Sequence, residues 1–381
     1  MPAQIECQLT PVTDVVAIER EWRELEHRAA CSYYLSWSWI GTWLTQVSAS
    51  VRPMLFTATK VGRIIGLAIA VARPVARHRV IRSNAIFLNK TGDESIDEIT
   101  IEYNGLLVES NFRDAVTEAA LNFFMAQGWD EVFIDAAQVT ESLLTLHGKN
   151  WTLRRRKSWR AYGIDFQQLR DAGTEYLEAL SGNARYQIRR ALREYEQLGT
   201  LRVEAAQNQL VAETYLAELR RLHQATWTAR GLAGAFKNPF FDRFHRELVA
   251  TRTVHGEIQL LRISFGENCI GYLYNFLWNG SVLNYQSGFD YNLSGKHKWP
   301  GAIAHYAAIE FNYQRGARHY DFLGGDNQLK RTLSTMSVPL EWIVARKDCI
   351  KFRLEDRMHS MVGFLRGNCL LAHTNRDTKV S

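Results

Sequence analysis

Two pairs of strand-like segments, one pair in each half of the chain, flank short turns. In the first half, residues 54–59 alternate between apolar and polar, a turn follows at residues 61–63, and the apolar run of residues 64–71 returns. In the second half, the segments are residues 257–264 and 269–277, around a turn at residues 266–268. A period of two is typical of strands with one buried face, and a short glycine turn between two such strands favours a hairpin. Each half is therefore predicted to contain an antiparallel hairpin.

The same order of helix, glycine and strand follows each hairpin. In the first half these elements are residues 111–126, Gly128 and residues 131–135. In the second half they follow a further strand and are a helix from Trp299, Gly316 and a strand that ends with Asp321-Phe322-Leu323. A repeated order of elements predicts a duplicated α/β unit. The alternative is a chance likeness, because hairpins and helices are common.

This order predicts an α/β (α+β) fold with two tandem domains, each a twisted mixed sheet flanked by helices. The predicted boundaries are residues 1–155 for the first domain, 156–350 for the second, and 351–381 for a C-terminal helix and polar tail. The chain has 381 residues, so each domain is long enough to bury a core of its own.

Tryptophans near the start of the chain have helical spacing. Trp22 lies three residues before Leu25, and Trp39 lies four residues before Trp43. One interpretation is an aromatic platform for a sugar or a base. We favour a core between two helices, because this spacing places both side chains of each pair on one helix face.

A basic helix is predicted to open the second domain. Ser181 is placed to cap it, and Gly199 is placed to end it. Arg185, Arg189 and Arg193 are spaced four apart and share one face of this helix. These arginines are candidates for binding an anionic group on the acceptor substrate. The alternative is a face that is merely solvated.

A basic turn precedes the helix that follows the second hairpin. Its residues are Lys296, His297, Lys298, Trp299, Pro300 and Gly301. Proline suits the first turn of a helix, where its missing N–H costs nothing. The free N–H groups of a helix start carry partial positive charge and bind phosphate groups. This turn is therefore a candidate phosphate site, with an ordinary solvated turn as the alternative.

Composition narrows the class of protein. The formal net charge of +6 suits anionic ligands without requiring DNA. Five scattered cysteines lack the spacing of metal ligands, so we expect no metal and a reducing, cytoplasmic setting. No signal peptide is visible, and no apolar run reaches the length of a transmembrane segment.

Several short motifs, in this order, resemble one known family. They are Glu21-Trp22-x-x-Leu25, Ser36-x-x-Trp39, Ser181-Gly182-Asn183-Ala184-Arg185 with Arg189-Arg190, Pro300-Gly301, Gly316, Asp321-Phe322-x-Gly324 and Lys330. Over residues 18–346 the chain resembles the cellulose-biosynthesis (CelD-like) acetyltransferase family. That family lies within the GCN5-related N-acetyltransferase (GNAT) superfamily and is related to the Fem-type aminoacyltransferases.

The resemblance implies two tandem GNAT-like acyl-CoA N-acyltransferase domains. The second domain would hold the donor, acetyl-CoA or another acyl-CoA, at the turn formed by Lys296, Lys298, Trp299, Pro300 and Gly301. The first domain would be degenerate and without a donor site, because Glu109-Ser110-Asn111 stands at the matching place and contains no glycine. One departure is the single glycine of the second-domain turn, where the superfamily often has more.

Direct acyl transfer needs a base for the acceptor, a donor for the leaving thiolate and a cation for the oxyanion. Asp290 and Asp321, at strand ends, are the candidate bases. Tyr320 is a candidate proton donor, and Lys330 is the candidate cation. The structural alternatives are helix caps for the acids, packing for the tyrosine and a surface pair with Asp326 for the lysine.

The expected function is acyl transfer from acyl-CoA to an amine or hydroxyl of a small-molecule or sugar-linked acceptor. The family resemblance adds a role in polysaccharide or cell-envelope biosynthesis. One alternative is an aminoacyl-tRNA-dependent transferase, which would make tRNA a partner. The other is a non-catalytic accessory protein of exopolysaccharide synthesis.

Overall fold

A computed structural model describes residues 4–77, 81–139, 144–293 and 299–357. Within these ranges fourteen strands form one mixed sheet. The strands are β1 (Glu6–Pro11), β2 (Pro53–Lys60), β3 (Arg63–Arg77), β4 (Ile81–Leu88), β5 (Leu107–Val108), β6 (Glu131–Ala137), β7 (His147–Gly148), β8 (Trp151–Asp165), β9 (Leu201–Ala205), β10 (Ile258–Phe265), β11 (Asn268–Trp278), β12 (Ser281–Phe289), β13 (His319–Gly324) and β14 (Met336–Lys347).

Helices cover both faces of this sheet. They are α1 (Val15–Glu26), α2 (Trp37–Gln46), α3 (Glu94–Asp97), α4 (Arg113–Ala126), α5 (Phe166–Asp171), α6 (Tyr176–Ala179), α7 (Gly182–Glu196), α8 (Gln209–Ala229), α9 (Pro239–Arg252), α10 (Pro300–Gln314) and α11 (Gln328–Leu333). Residues 350–357 are also helical. Among these helices none is long and apolar enough to cross a membrane.

The two halves of the sheet have the same strand order. The order across the sheet is β1-β2-β3-β4-β6-β14-β8-β13-β12-β11-β10-β9. From either edge inward, antiparallel neighbours lead to one parallel pair, β4 with β6 in the first half and β12 with β13 in the second. Each hairpin has a β-bulge shortly before its turn, after Ala58 and after Ile263. The predicted α/β fold with two like units is confirmed.

The centre of the sheet is made by two strands that cross between the halves. β8 pairs with β14 from Trp151 opposite Lys347 to Gly163 opposite Met336. The end of β8 also pairs with β13, and the end of β14 also pairs with β6. Each half therefore lends a strand to the other. The predicted boundary between residues 155 and 156 falls inside β8 and stays a prediction.

One hydrophobic core joins the halves on one face of the sheet. It contains side chains from α1 and α2 of the first half and from α8 and α9 of the second. Trp22, Trp39 and Trp43 lie in it and are at most 1% exposed, so their predicted role in the core is confirmed. On the other face, α4 covers the first half, and α5, α6, α7 and α10 cover the second, in two separate cores.

The shared core predicts that the halves unfold together. Trp39 packs edge-on against Tyr34, Phe244 and Phe276, which come from both halves. Trp39→Ala should lower the free energy of unfolding by about 3–5 kcal/mol, the usual cost of such a cavity. Urea denaturation followed by far-UV circular dichroism should still show one transition.

The matched control is Trp159→Ala, because Trp159 is 39% exposed. Its cost should be about 1 kcal/mol or less. Two separate transitions, with one of them unmoved by Trp39→Ala, would show that the halves have independent cores.

Candidate active site

The parallel strands β12 and β13 pair at one end and part at the other. Their pairing covers Ser281 opposite His319 through Leu283 opposite Asp321 and then stops. β12 continues to Phe289 and β13 to Gly324. We call the resulting gap the wedge. Beyond Leu283 the edge of β12 that faces the wedge has no strand partner, so its backbone groups can pair with a ligand.

A β-bulge marks the start of the wedge. On the neighbouring strand Tyr274 lies opposite Gln286 and Asn275 opposite Asn284, so Tyr285 is the extra residue of β12. Its side chain is turned towards the face of the sheet that α2 and α9 cover. There its hydroxyl donates to the Ile99 carbonyl and lies 3.0 Å from His245 Nε2. Bulges commonly bend a strand and redirect a side chain next to an active site.

Helix α10 begins beside the wedge. Trp299 is its N-cap residue, Pro300 is in its first turn, and no described side chain caps its start. A Cβ added to Gly301 would lie 3.2 Å from Phe289 Cε2, so glycine lets the helix start approach the end of β12. Lys296, His297 and Lys298 lie outside the described residues. Their role at this helix start stays a prediction.

A loop from the first half contacts the end of β13 beside the wedge. The Tyr103 hydroxyl donates to Asp321 Oδ2 at 2.5 Å, and the Gly324 N–H donates to Glu102 Oε2 at 2.6 Å. Glu102 is 6% exposed. These contacts bring residues of the first half to the end of β13. The candidate active site is therefore built by both halves.

Lys330 completes this group of ionisable side chains. Its Nζ donates to the carbonyl oxygens of Leu323 at 3.1 Å and Gly324 at 2.6 Å. Leu323 has φ 62°, which belongs to the bulge that ends regular pairing in β13. Asp326 pairs instead with Arg331, at 2.6 Å, so the alternative of a surface Lys330–Asp326 pair is wrong.

Burial perturbs the ionisation of this group, which we call the Glu102 cluster (Glu102, Tyr103, Asp321 and Lys330). Burial raises the pKa of Glu102 to about 7, against the opposing effects of the Gly324 N–H and Lys330. It also raises the pKa of Asp321 and lowers that of Lys330. Several perturbed groups converging in one cleft are typical of a functional site.

The other predicted catalytic residues lie elsewhere. Asp290 follows β12, and its Oδ1 accepts from the Asn292 N–H at 2.9 Å, which is the role of a turn cap. Tyr320 is fully buried, with its hydroxyl 3.4 Å from His305 Nδ1. Burial raises the pKa of Tyr320. Asp321 and Lys330 meet in the Glu102 cluster, whereas Asp290 and Tyr320 lie outside it.

The predicted arginine face has one structural member. Arg185 Nη1 donates to the carbonyl oxygens of Glu178 at 3.0 Å and Leu180 at 2.6 Å, and so closes the end of α6. Arg189 and Arg193 are exposed on α7. Their predicted role in holding the acceptor stays a prediction, and Arg185 is better explained as a structural residue.

Glu102 and Tyr103 were not predicted from the sequence. They lie in the connection between β4 and α4, which contains only short elements. Connections of this length in a compact domain are uncommon and are often functional. The length of this connection is the feature of the sequence that could have indicated a functional segment. It does not identify which residues of the connection reach the other half.

In the first half the corresponding gap is filled by the protein itself. Asn89 Nδ2 donates to Asn104 Oδ1 at 2.9 Å and to the Gly105 carbonyl at 2.7 Å. Asn104 Nδ2 donates to the Leu88 carbonyl, and its N–H donates to the Ala136 carbonyl. The loop thus bridges β4 and β6 beyond their parallel pairing. This filling supports the prediction that the first half has no donor site.

Comparison with known proteins defines the class of domain. Residues 182–331 match the family model described as an acetyltransferase (GNAT) domain. No curated protein matches the chain. The predicted superfamily is thereby confirmed for this part of the chain, and the narrower CelD-like assignment stays a prediction.

Solved structures extend the likeness over nearly the whole fold. FemX has a TM-score of 0.50 and 12% identity and covers 92% of this chain and 99% of its own. The L-PGS structure from Bacillus licheniformis has a TM-score of 0.50 and 9% identity, covering 86% and 91%. A protein of unknown function from Bacteroides thetaiotaomicron has a TM-score of 0.50 and 8% identity, and the match covers 90% of this chain and 100% of that one. At these identities the likeness shows the fold alone.

The raised pKa of Glu102 predicts a pH-dependent stability. The folded chain holds this proton up to about pH 7, whereas an ordinary glutamate loses it near pH 4.5. Ionised Glu102 therefore lowers stability increasingly as the pH rises through this window. Glu102→Gln removes this effect of ionisation. The free energy of unfolding of the variant minus that of wild type should therefore be about 2–3 kcal/mol higher at pH 8 than at pH 5, at about 1.36 kcal/mol per pKa unit.

Chemical denaturation at the two pH values measures this difference. The control is Glu94→Gln, since Glu94 is exposed on α3 and should show no such pH dependence. An equal effect of Glu102→Gln at both pH values would mean that Glu102 ionises normally.

Proposed function

We propose that the protein is an acyl-CoA-dependent acyltransferase that transfers an acyl group, most simply acetyl, directly to an amine or hydroxyl. The observation that carries the proposal is the wedge between β12 and β13, with the uncapped start of α10 beside it. The match of residues 182–331 to the acetyltransferase (GNAT) domain supports the same reaction class.

The residues of the wedge suit an acyl-CoA donor. An extended arm that contains amides can pair with the edge of β12 beyond Leu283. The start of α10 offers partial positive charge to a pyrophosphate, with Pro300 and Gly301 in its first turn. When bound, acyl-CoA supplies the activated acyl group as a thioester. Acetyl as the transferred group is part of the proposal.

The Glu102 cluster has the groups that direct transfer needs. Glu102, with a pKa near 7, is matched to accept a proton from the attacking amine or hydroxyl. Lys330 has two N–H groups on carbonyl oxygens and a third available to a developing oxyanion. Asp321, which accepts a hydrogen bond from Tyr103, adds a carboxyl group at the same place. In this proposal the residues of the Glu102 cluster take the catalytic roles that the sequence suggested for Asp290 and Tyr320.

A second candidate function is aminoacyl transfer from tRNA. The observation that favours it is the fold shared with FemX over nearly the full length of both chains. The expected place in polysaccharide or cell-envelope biosynthesis, a sugar-linked acceptor and a cytoplasmic setting rest on the family resemblance and the sequence. A non-catalytic accessory role would keep the fold without turnover.

Donor binding separates these functions. Acetyl-CoA at 100 times its dissociation constant should stabilise the folded chain by about 2.7 kcal/mol. Thermal denaturation with acetyl-CoA, with a charged tRNA mixture and without ligand gives the comparison. A shift with acetyl-CoA alone supports the proposal, a shift with charged tRNA alone favours the second candidate, and no shift with either favours the accessory role.

Kinetics of variants test the division of roles. Glu102→Gln should lower kcat by about 10²–10⁴-fold, the usual contribution of a general base. Lys330→Ala should lower kcat and kcat/KM together, because its interaction is made mainly in the transition state. Arg189→Ala should raise the acceptor KM with little change in kcat. Steady-state rates of CoA release measure all three.

The matched control for the first variant is Glu94→Gln, which should behave as wild type. If Lys330→Ala and Arg189→Ala both changed KM alone, Lys330 would be a binding residue and its catalytic assignment would be wrong.

A further inference from the structure

A cavity of about 390 Å³ lies between the two halves. In the second half it is lined by the starts of β12 and β13, at Ser281 and His319, and by Asp321. The wedge opens at the opposite ends of these strands. Asp321 therefore borders both spaces. A molecule in this cavity reaches the reacting centre from the side opposite to the proposed donor.

In the first half the cavity occupies the place that corresponds to the donor side of the second. Its lining includes Arg113 and Thr117, in the first turns of α4, and residues 137–139 at the end of β6. The corresponding elements of the second half are α10 and β13. Because Asn104 and Gly105 fill the first-half gap, this space has no room for a donor arm between the strands. It opens towards Asp321 instead.

The walls of the cavity are mainly apolar. Side chains of this kind come from both halves and include Leu106, Ile134, Leu283, Val338 and Ile343. Ligand sites of this volume usually combine apolar walls with a few polar groups that fix orientation. A strongly hydrated ligand such as a free sugar would leave many hydroxyl groups without partners against these walls.

Polar side chains, among them Thr117, Ser281 and His319, also line the cavity, and two further groups bear on the orientation of a ligand. At the inner end are the Asp321 carboxylate and the Tyr103 hydroxyl bonded to it. At the outer end are the exposed residues Ala30, Arg113 and Gln138, where Arg113 Nη2 donates to the Ala30 carbonyl at 3.1 Å. The carboxyl oxygens at the inner end can accept hydrogen bonds from an amino group. An entering amine would therefore place its nitrogen beside Asp321 and Tyr103, the two residues of the Glu102 cluster that line the cavity.

We infer that this cavity is the acceptor site and that the acceptor is a primary amine carried on an apolar body. The inference rests on the proposed function, because it takes the Glu102 cluster as the reacting centre. The apolar body lies against the walls shared by the halves, and the amino group lies beside Asp321. A primary amine enters mostly as the ammonium ion and first loses one proton to Glu102. Its nitrogen then forms the new bond to the acyl carbon, the bond from that carbon to sulfur breaks, and a second proton from the nitrogen goes to the departing thiolate.

Calorimetric titration of the full chain with two amines tests the inference. The probes are 4-phenylbutylamine, which has an apolar body, and D-glucosamine, which has a polar one. Gln138→Trp should close the outer end of the cavity and weaken 4-phenylbutylamine binding by about tenfold or more. The matched control is Gln127→Trp, since Gln127 is also exposed but lies at the far end of α4. Ala30→Trp serves as a second closing variant if Gln138→Trp does not fold.

The expected result is tighter binding of 4-phenylbutylamine than of D-glucosamine, lost in the closing variants and kept in Gln127→Trp. Unchanged binding in a folded closing variant would overturn the location. Preference for D-glucosamine, or no binding of either amine, would overturn the acceptor class. Acetyl-CoA titrated into the same proteins separates the two claims. If wild type does not bind acetyl-CoA, the proposed function is overturned, and amine binding that is lost in the closing variants then shows only an amine site in the cavity. If wild type binds acetyl-CoA but the closing variants bind the amine unchanged, the inference alone is overturned.

Discussion

The crossing of β8 and β14 is the constraint on which the arrangement of the site depends. These strands pair with each other along most of their length, and each then pairs with a strand of the opposite half. A shift of one residue in this register would turn every side chain of a strand to the other face of the sheet. The crossing therefore fixes how the first-half loop meets the end of β13. It also explains why one core, containing Trp22 and Trp39, can span both halves.

The Glu102 cluster depends on this arrangement, and its burial lowers the free energy of unfolding of the protein. Glu102 and Tyr103 reach Gly324 and Asp321, which lie more than two hundred residues further along the chain. Burying carboxylates beside a lysine costs desolvation energy that their mutual attraction only partly offsets. The surrounding core must supply that energy. A pKa near 7 for Glu102 is the consequence, and it suits proton transfer at neutral pH.

The sequence predicts local features well and the meeting of distant ones poorly. Strand-like segments around short turns predicted both hairpins, helical spacing predicted the buried tryptophans, and the Pro300-Gly301 pair marked the start of α10. Asp321 and Lys330 were predicted as site residues because a strand end and a glycine pair precede them, and the structure brings them together. Glu102 and Tyr103 were missed because a loop residue has no periodicity that indicates its partner. The contacts of Arg185 were not predicted, because its carbonyl partners at the end of α6 depend on how the chain turns before α7.

The two halves show how one fold can serve two roles. Ala136 and Leu323 both have positive φ, with 53° and 62°, near the end of the inner parallel strand of their half. The backbone bulge is therefore kept in both copies. In the second half the carbonyl oxygens after the bulge hold Lys330, whereas in the first half Ala136 accepts from the Asn104 backbone. Under the proposed function, the filled gap leaves the wedge as the place where the donor binds among the described residues. The proposed acceptor then lies in the first-half space, on the opposite side of Asp321.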